Sequence, residues 1–459
     1  TDFRKIDEVP FDFERRRVSV LLQHGDERLL VLKGAPEEVL RLAVAYEIDE
    51  AGGSASFDTE SRAHVQAVCD DLARHGFRAL GIASRKVAID HEHAIVGDES
   101  DLVFAGFAAF LDPPKANTRE ALAALTRIGI CVKVITGDNE LVTPNLCTSL
   151  GLSGAQVLTG AQIAQLDDPA LRARVDAVNL FCRVNPAQKN RIILALKQRG
   201  NTVGYLGDGV NDAPALHSAD VGLSVDSAVD VAKEAADMIL LKHDLGVLYE
   251  GVLEGRRTFA NIRKYIMMGT SSNFGNMFSM AGASLFLPFL PMLPVQILLN
   301  NALYDISEIA IPLDRVDEPE LVKPQRWNLE LIRNFMWVMG SISSLFDFAT
   351  FYILLVVLHA DEALFHTGWF VESLASQVLV IFVIRTRQSP WRSRPHPALL
   401  ATSLSVVAVA VALPFTPIGH ALGFVAPPPL FFAIITGLSL LYLALVEAVK
   451  RVFFRYMKA

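Results

Sequence analysis

Two aspartates bracket a glycine and an asparagine in GDGVNDAPAL, Gly207–Leu216, directly after the apolar run VGYL. Carboxylates on a strand-to-loop turn can support the turn itself or hold a hard cation at a strand end. A second turn, Thr136-Gly137-Asp138, follows CVKVI, and Lys189 lies at the start of a helix in NPAQKNRIILALKQRG. A hydroxyl, a lysine and carboxylates brought to one sheet edge are the parts of a magnesium-dependent phosphoryl-transfer site. There the strand-end carboxylates would hold the metal, and the Lys189 ammonium and the Thr136 hydroxyl would neutralise the transferring oxygens. No strand end supplies an unambiguous attacking group. Asp112 is the internal candidate, and Pro113-Pro114 behind it removes backbone donors for a phosphate.

The elements needed to position these residues are readable. From about residue 102, apolar runs such as VFAGFAAFL, CVKVI, TVGYL and VGLSV alternate with helical patterns, including one over NELVTPNLCTSLG. That alternation predicts an α/β doubly wound parallel sheet, whose chemistry belongs at the carboxyl ends of its strands. Before it, RVSVLLQ, the turn HGDE and RLLVLKGAPEEVL predict a hairpin, with a helix over Glu37–Ala45. Lys33-Gly34 offers a cation beside approachable backbone, and Phe11 and Phe13 lie near Arg15, Arg16 and Arg17. Such a face suits a nucleotide's base and phosphates, although phenylalanine beside arginine is more often hairpin packing.

The 459 residues carry a net charge of −8, and no basic run forms a nucleic-acid stripe. The four cysteines, Cys69, Cys131, Cys147 and Cys182, form no CxxC and read as reduced thiols of a cytoplasmic domain. The chain starts without Met or a signal-like segment, which reads as a piece of a longer polypeptide. After Lys264, six apolar stretches approach the roughly 20 residues of a membrane span, near 264–287, 293–312, 333–358, 368–386, 399–418 and 428–449. Arginine and lysine collect in alternate links, at Arg315–Arg333, Arg385–Arg394 and Lys450–Lys458, so both chain ends are expected on the cytoplasmic side of a multi-pass membrane protein. Leu245, Leu248, Val252, Phe259 and Ile262 predict an amphipathic stalk entering the first span.

The second stretch, PVQILLNNALYDISEIAIP, places Asn300, Asn301, Asp305 and Glu308 where lipid-compatible residues are expected. A mid-membrane carboxylate costs about 2.5–3.5 kcal/mol on insertion scales, so such groups face an interior. Asn273 and Asn276 in the preceding stretch would join Asn301 and Asp305 as oxygen ligands of a transported cation. Interhelical hydrogen bonding is the alternative use of the asparagines.

Together KGAPE, DPPK (Asp112–Lys115), TGDN (Thr136–Asn139) and GDGVNDAPAL, in this order, resemble the P-type cation-transporting ATPases, and the resemblance covers the whole chain. It implies a haloacid dehalogenase-like catalytic domain, with a partial nucleotide-binding domain over 1–105, a phosphorylation domain over 106–243, a stalk over 244–263 and a six-helix membrane domain over 264–459. It further implies ATP and Mg²⁺ as cofactors. Phe11 would stack on adenine, Lys33, Gly34 and Arg78 would contact nucleotide, and Thr136, Gly137 and Asp138 would contact phosphate. Lys189 would contact the transferred group, Asp208 would bind magnesium, and Asn211 and Asp212 would complete that site. The family nucleophile, in a DKTGT motif, does not occur in this sequence. The resemblance therefore implies the C-terminal part of a pump in the cell membrane, inactive without its N-terminal part and forming an aspartyl-phosphate outside this chain. NNALYDISEIAIPLDRVDEPE and GWFVESLASQ resemble the magnesium-importing branch. A proton or other cation pump, or a non-pumping regulatory membrane subunit, stays open.

Overall fold

The computed structural model describes residues 3–12, 15–48, 53–111, 115, 117–138, 140, 142–143, 147–148, 150–151, 156–242 and 244–456. Phe13, Asp112 and Asn139 lie outside the described residues, as does much of the helix expected over Asn139–Gly151. The chain divides into two compact units, 1–126 with 130–249 and 127–129 with 250–459.

In the first unit, β1 (Arg4–Asp12), β2 (Arg17–His24) and β3 (Glu27–Gly34) form an antiparallel meander. The expected hairpin is β2–β3, turning at Gly25, whose φ of 58° suits glycine. Apolar residues alternate inward, leaving Leu21, Leu30 and Leu32 fully buried. Helix α1 (Pro36–Leu42) stops three residues before the expected end, because Ala43 begins strand β4 (Ala43–Glu47), which pairs with a later strand. After β5 (Ser54–Ser56), α2 (Thr59–Arg74) starts on a capping box between Asp58 and Ser61. β6 (Phe77–Val87) and β7 (Leu102–Leu111) complete a seven-stranded sheet of order β1-β2-β3-β6-β7-β4-β5. The run read as the opening strand of the α/β alternation is thus β7. Its antiparallel ladder with β6, from Phe77↔Leu111 to Ser84↔Val103, carries the sheet past the expected boundary at 105.

The α/β alternation follows with α3 (Thr118–Arg127), β8 (Val134–Ile135), β9 (Gln156–Thr159), α4 (Gly160–Gln165), α5 (Asp168–Arg174), β10 (Val178–Cys182), α6 (Pro186–Gln198), β11 (Gly204–Leu206), α7 (Ala213–Ser218), β12 (Val221–Val225), α8 (Asp230–Ala235) and β13 (Met238–Leu240). The strands are parallel, as expected, but lie in two three-stranded sheets, β8-β10-β9 and β11-β12-β13. One core joins them: Leu158 and Phe181 from the first sheet pack with Ile192, Ile193, Tyr205 and Leu216.

α9 (Leu245–Ala283) runs unbroken for 39 residues, most of them in the second unit. α10 (Pro294–Glu308) has 15 residues, a rise of about 22 Å against a hydrocarbon core of about 30 Å. It is followed by α11 (Glu318–Val322), α12 (Leu329–Tyr352, prolonged by a wider turn to Val357), α13 (Glu362–Ile384), α14 (Pro397–Ala412) and α16 (Pro429–Tyr456), with the short α15 (Pro417–Ala421) between the last two. Four helices among the described residues are long and apolar enough to cross a membrane: 329–357, 362–384, 397–415 and 429–456. The first two of the six expected spans are excepted, because α9 is rich in polar residues and α10 ends at Glu308, ahead of Pro312. α13 is the central helix, with Phe365, Phe370, Leu374 and Val378 fully enclosed.

Basic residues at one end of this unit are buried in ion pairs. Asp314, with a fully buried side chain, takes Lys264 Nζ at 3.1 Å and Arg385 Nε at 3.0 Å. Glu320 takes Arg263 at 2.8 Å and Arg387 at 3.0 Å. The links at 314–333 and 385–394, which charge alone placed on one side, therefore meet each other and the 261–264 turn of α9.

Candidate functional site

Asp212 organises the clearest polar centre of the first unit. After β11 the chain turns through Gly207, where a Cβ would lie 2.6 Å from Cβ of Asp212; only glycine lets that carboxylate fold back so closely. A short turn, Val210–Asp212, then buries it. Oδ1 accepts from Lys189 Nζ and from the Tyr205 hydroxyl, each at 2.7 Å, and Oδ2 accepts from the Gly209 amide at 3.2 Å. Burial pushes the Asp212 carboxyl up, but Lys189, Tyr205 and Gly209 outweigh it and hold it below the usual carboxylate range. Burial and the neighbouring Asp212 raise Tyr205 far above an ordinary phenol. Lys189 is delivered by the first turn of α6, which Asn185 and Gln188 cap reciprocally.

Asp208 differs. Its backbone carbonyl accepts from the Val229 amide at 3.1 Å, while its side chain is exposed at the strand end. Asn211 is half-buried in the same turn. No group of three His, Cys, Asp or Glu side chains gathers as a metal cage among the described residues. The donor set nevertheless fits magnesium, which keeps several waters and takes few protein carboxylates. Asp208 is placed to be such a carboxylate, whereas Asp212 has both oxygens committed to the chain and is placed to hold Lys189.

At the end of β8, the Thr136 hydroxyl donates to Asp138 Oδ2 at 2.9 Å and accepts from the Asp138 amide at 3.0 Å. Backbone bonds from Thr136 N to Phe181 O, from Val184 N to Thr136 O and from Arg183 N to Asp138 O fix this loop to the end of β10. Gly137 is exposed between them. Arg78 reaches Asp138 with Nη2 at 2.5 Å, so it meets the Thr136–Asp138 loop directly. A cavity of about 420 Å³ lies at the carboxyl ends of β11, β12 and β13, lined by Leu206, Val225, Leu240, Lys115, Thr118 and Lys242.

On the larger sheet, Phe11 and Lys33 are exposed and Gly34 is buried. A Cβ on Gly34 would lie 2.5 Å from the Arg17 Cβ and 2.7 Å from the Arg16 carbonyl, so this glycine serves the close approach of β2. The neighbouring arginines follow the packing reading. Arg15 and Arg17 bind the buried Glu99 at 2.9 and 2.7 Å, Ser19 adds a further bond at 3.0 Å, and Arg16 pairs with Glu37 at 2.7 Å. Sequence spacing gave no sign of Glu99, which is 84 residues from Arg15.

In the helix unit, Asn276 Oδ1 accepts from Gln377 Nε2 at 3.0 Å and from Ser373 Oγ at 3.3 Å, and Ser272 Oγ donates to Gln377 Oε1 at 2.7 Å. Asn273, Asn301 and Asp305 are exposed and are not part of this network. The buried face of α10 carries Gln296, Asn300, Tyr304, Ser307 and Glu308 instead. Oδ1 of Asn300 and Oε1 of Glu308 meet no hydrogen-bond partner among the described residues. Gln377 and Ser373 were missed; polar residues four apart within GWFVESLASQ were the available signal.

A strand-end carboxylate and lysine centre, carried in one chain with a bundle of membrane-length helices around polar groups, is the plan of an ion-pumping ATPase. Residues 1–117 match the family described as P-type ATPase, cytoplasmic domain N, and residues 289–452 match cation transporting ATPase, C-terminus. The chain belongs to the P-type cation-transporting ATPases. It is 47% identical to a magnesium-transporting ATPase, P-type 1, of Salmonella typhimurium, over 98% of this chain and 50% of that protein. The corresponding Escherichia coli K12 protein is 46% identical over the same shares. A Bacillus subtilis calcium-transporting ATPase is 29% identical over 96% of this chain and 51% of its own length. The chain thus spans about half the length of the curated relatives it matches.

Proposed function

We propose that this chain is the C-terminal part of an ATP-driven pump that imports magnesium across the cell membrane, with its soluble unit and both chain ends on the cytoplasmic side. The 47% identity to a magnesium-transporting relative across nearly the whole chain carries this reading. The two parallel sheets fit a haloacid dehalogenase-like domain. Among the described residues β8 and β11 are sheet edges, and the strand bearing the attacking aspartate would come from outside this chain and pair there. Asp208 and Asn211 would hold the magnesium that neutralises ATP phosphate oxygens. Asp212 fixes the Lys189 ammonium toward the transferring group, and Thr136, Gly137 and Asp138 cradle its oxygens. Phe11, Lys33, Gly34 and Arg78 would receive the nucleotide, with Arg78 leaving Asp138 to do so.

In the membrane, α9 and α10 would cross with the four longer helices to give six spans. Asn273, Asn301 and Asp305 lie on exposed surface of α9 and α10, and an ionised Asp305 facing lipid would cost about 2.5–3.5 kcal/mol. Further protein segments are expected to cover that surface, and the covered oxygens to bind the cargo magnesium with some of its waters retained. Asn276, held by Gln377 and Ser373, would fix the helices at that level. The test is ATP-dependent magnesium uptake by vesicles containing the full-length protein. Asp305→Asn should abolish uptake per folded molecule, while unchanged uptake and magnesium affinity would remove Asp305 from the path. Turnover that follows pH and ignores magnesium would favour a proton pump.

A further inference from the structure

Asp347 of α12 and Glu372 of α13 are each 2% exposed and lie in the interior of the bundle. Trp369, whose indole donates to Asp347, lies one turn before Glu372 on α13, which makes the two carboxyl groups neighbours. Asp347 is furnished as an anion: Oδ2 accepts from Ser279 Oγ of α9 at 2.6 Å, and Oδ1 accepts from Trp369 Nε1 at 2.9 Å. Glu372 is furnished differently: Ser376, one turn on, faces its carboxyl, but its Oε2 is buried with no hydrogen-bond partner among the described residues. Among the described residues, Tyr442 of α16 also faces the pair. No lysine, arginine or histidine among the described residues acts on either carboxyl.

Two negative charges enclosed together without a cation repel each other and lose their hydration, a cost removed when one of them takes a proton. The asymmetry of donors decides which. Asp347 already receives two hydrogen bonds and has lone pairs left to accept a third. Glu372 has an oxygen that lacks a partner as a carboxylate, and as an acid it has a proton to donate to Asp347. We propose that Asp347 and Glu372 form a proton-binding site inside the helix bundle, in which Glu372 carries the proton and Asp347 accepts its hydrogen bond. The site is separate from the Asn276 network and from the Asp305 surface. Its proton is bound without breaking any hydrogen bond that Asp347 makes to Ser279 or Trp369.

Infrared spectra of the full-length protein in lipid vesicles at neutral pH test this without reference to transport. A protonated-carboxyl C=O band is expected with and without magnesium. It should shift in D₂O, disappear in Glu372→Gln and persist at a changed position in Glu372→Asp, which keeps the acid. Asp347→Asn should also move the band, because the acceptor changes. Absence of such a band, or a band indifferent to both Glu372 variants, would overturn the proposal. So would a band that appears only after divalent cations are chelated, since a metal ion would then be the occupant.

Discussion

The two units place polar groups by different rules. In the first, the residues singled out in GDGVNDAPAL and TGDN sit at strand ends, where backbone register leaves little choice of position, and Lys189 meets Asp212 at 2.7 Å. In the helix unit, Asn300, Tyr304 and Glu308 face inward while their neighbours Asn301 and Asp305 face outward. On a helix, one step along the sequence rotates a side chain by about 100°. A sequence therefore shows that a span carries chemistry well before it shows which face carries it. The charged groups differ in the same way. The helix unit encloses the ion pairs around Asp314 and Glu320, whereas most pairs of the α/β unit remain partly wet.

Removing one member of an enclosed pair should be costly. Asp314→Ala leaves Lys264 and Arg385 facing each other without a counter-charge and should cost about 3–5 kcal/mol. Chemical denaturation of the detergent-solubilised protein measures this, and a loss near zero would break the contrast between the units. Lys189→Met, which strands the mostly buried Asp212, should cost less, about 1–3 kcal/mol. The pH dependence has a definite sign. Because the folded Asp212 carboxyl is held below its usual range, its contribution is fully present above the ordinary carboxylate pKa and is lost as pH falls through the lowered value. Stability from this group should thus be flat near neutrality, and Lys189→Met should move the acid transition to higher pH in unfolding curves.

Gly34→Ala should cost about 1–3 kcal/mol through forced separation of β2 from β3, read as lost amide protection in those strands. Arg78→Ala removes an ion pair whose side chains are 53% and 35% exposed, and should change stability by under about 1 kcal/mol. A larger loss would mean that Arg78 anchors the TGD loop structurally.

These contrasts also explain what could be read in advance. Turn chemistry made the strand ends legible, and alternation made β2–β3 legible, because both are encoded within a few residues. The partners that complete each centre were not. Glu99 meets Arg15 from 84 positions away, Tyr205 resembles any apolar strand residue until Asp212 folds back on it, and Gln377 meets Ser272 across 105 positions. The split into two parallel sheets was likewise hidden, since sequence alternation specifies strand direction but not which edges pair. The six-span expectation gave more long apolar helices than the four among the described residues, because α9 is rich in polar residues and α10 ends after 15 residues, ahead of Pro312.

The central claim is a division of labour between two aspartates four residues apart: Asp212 holds Lys189, and Asp208 is left for the metal. Phosphoryl transfer from ATP, assayed in the full-length protein across a magnesium titration alongside nucleotide binding, tests it most directly. Asp208→Asn should lower phosphorylation by on the order of 10²-fold or more, weaken its magnesium dependence and leave nucleotide binding and folding intact. Normal phosphorylation with an unchanged magnesium requirement in Asp208→Asn would contradict the account.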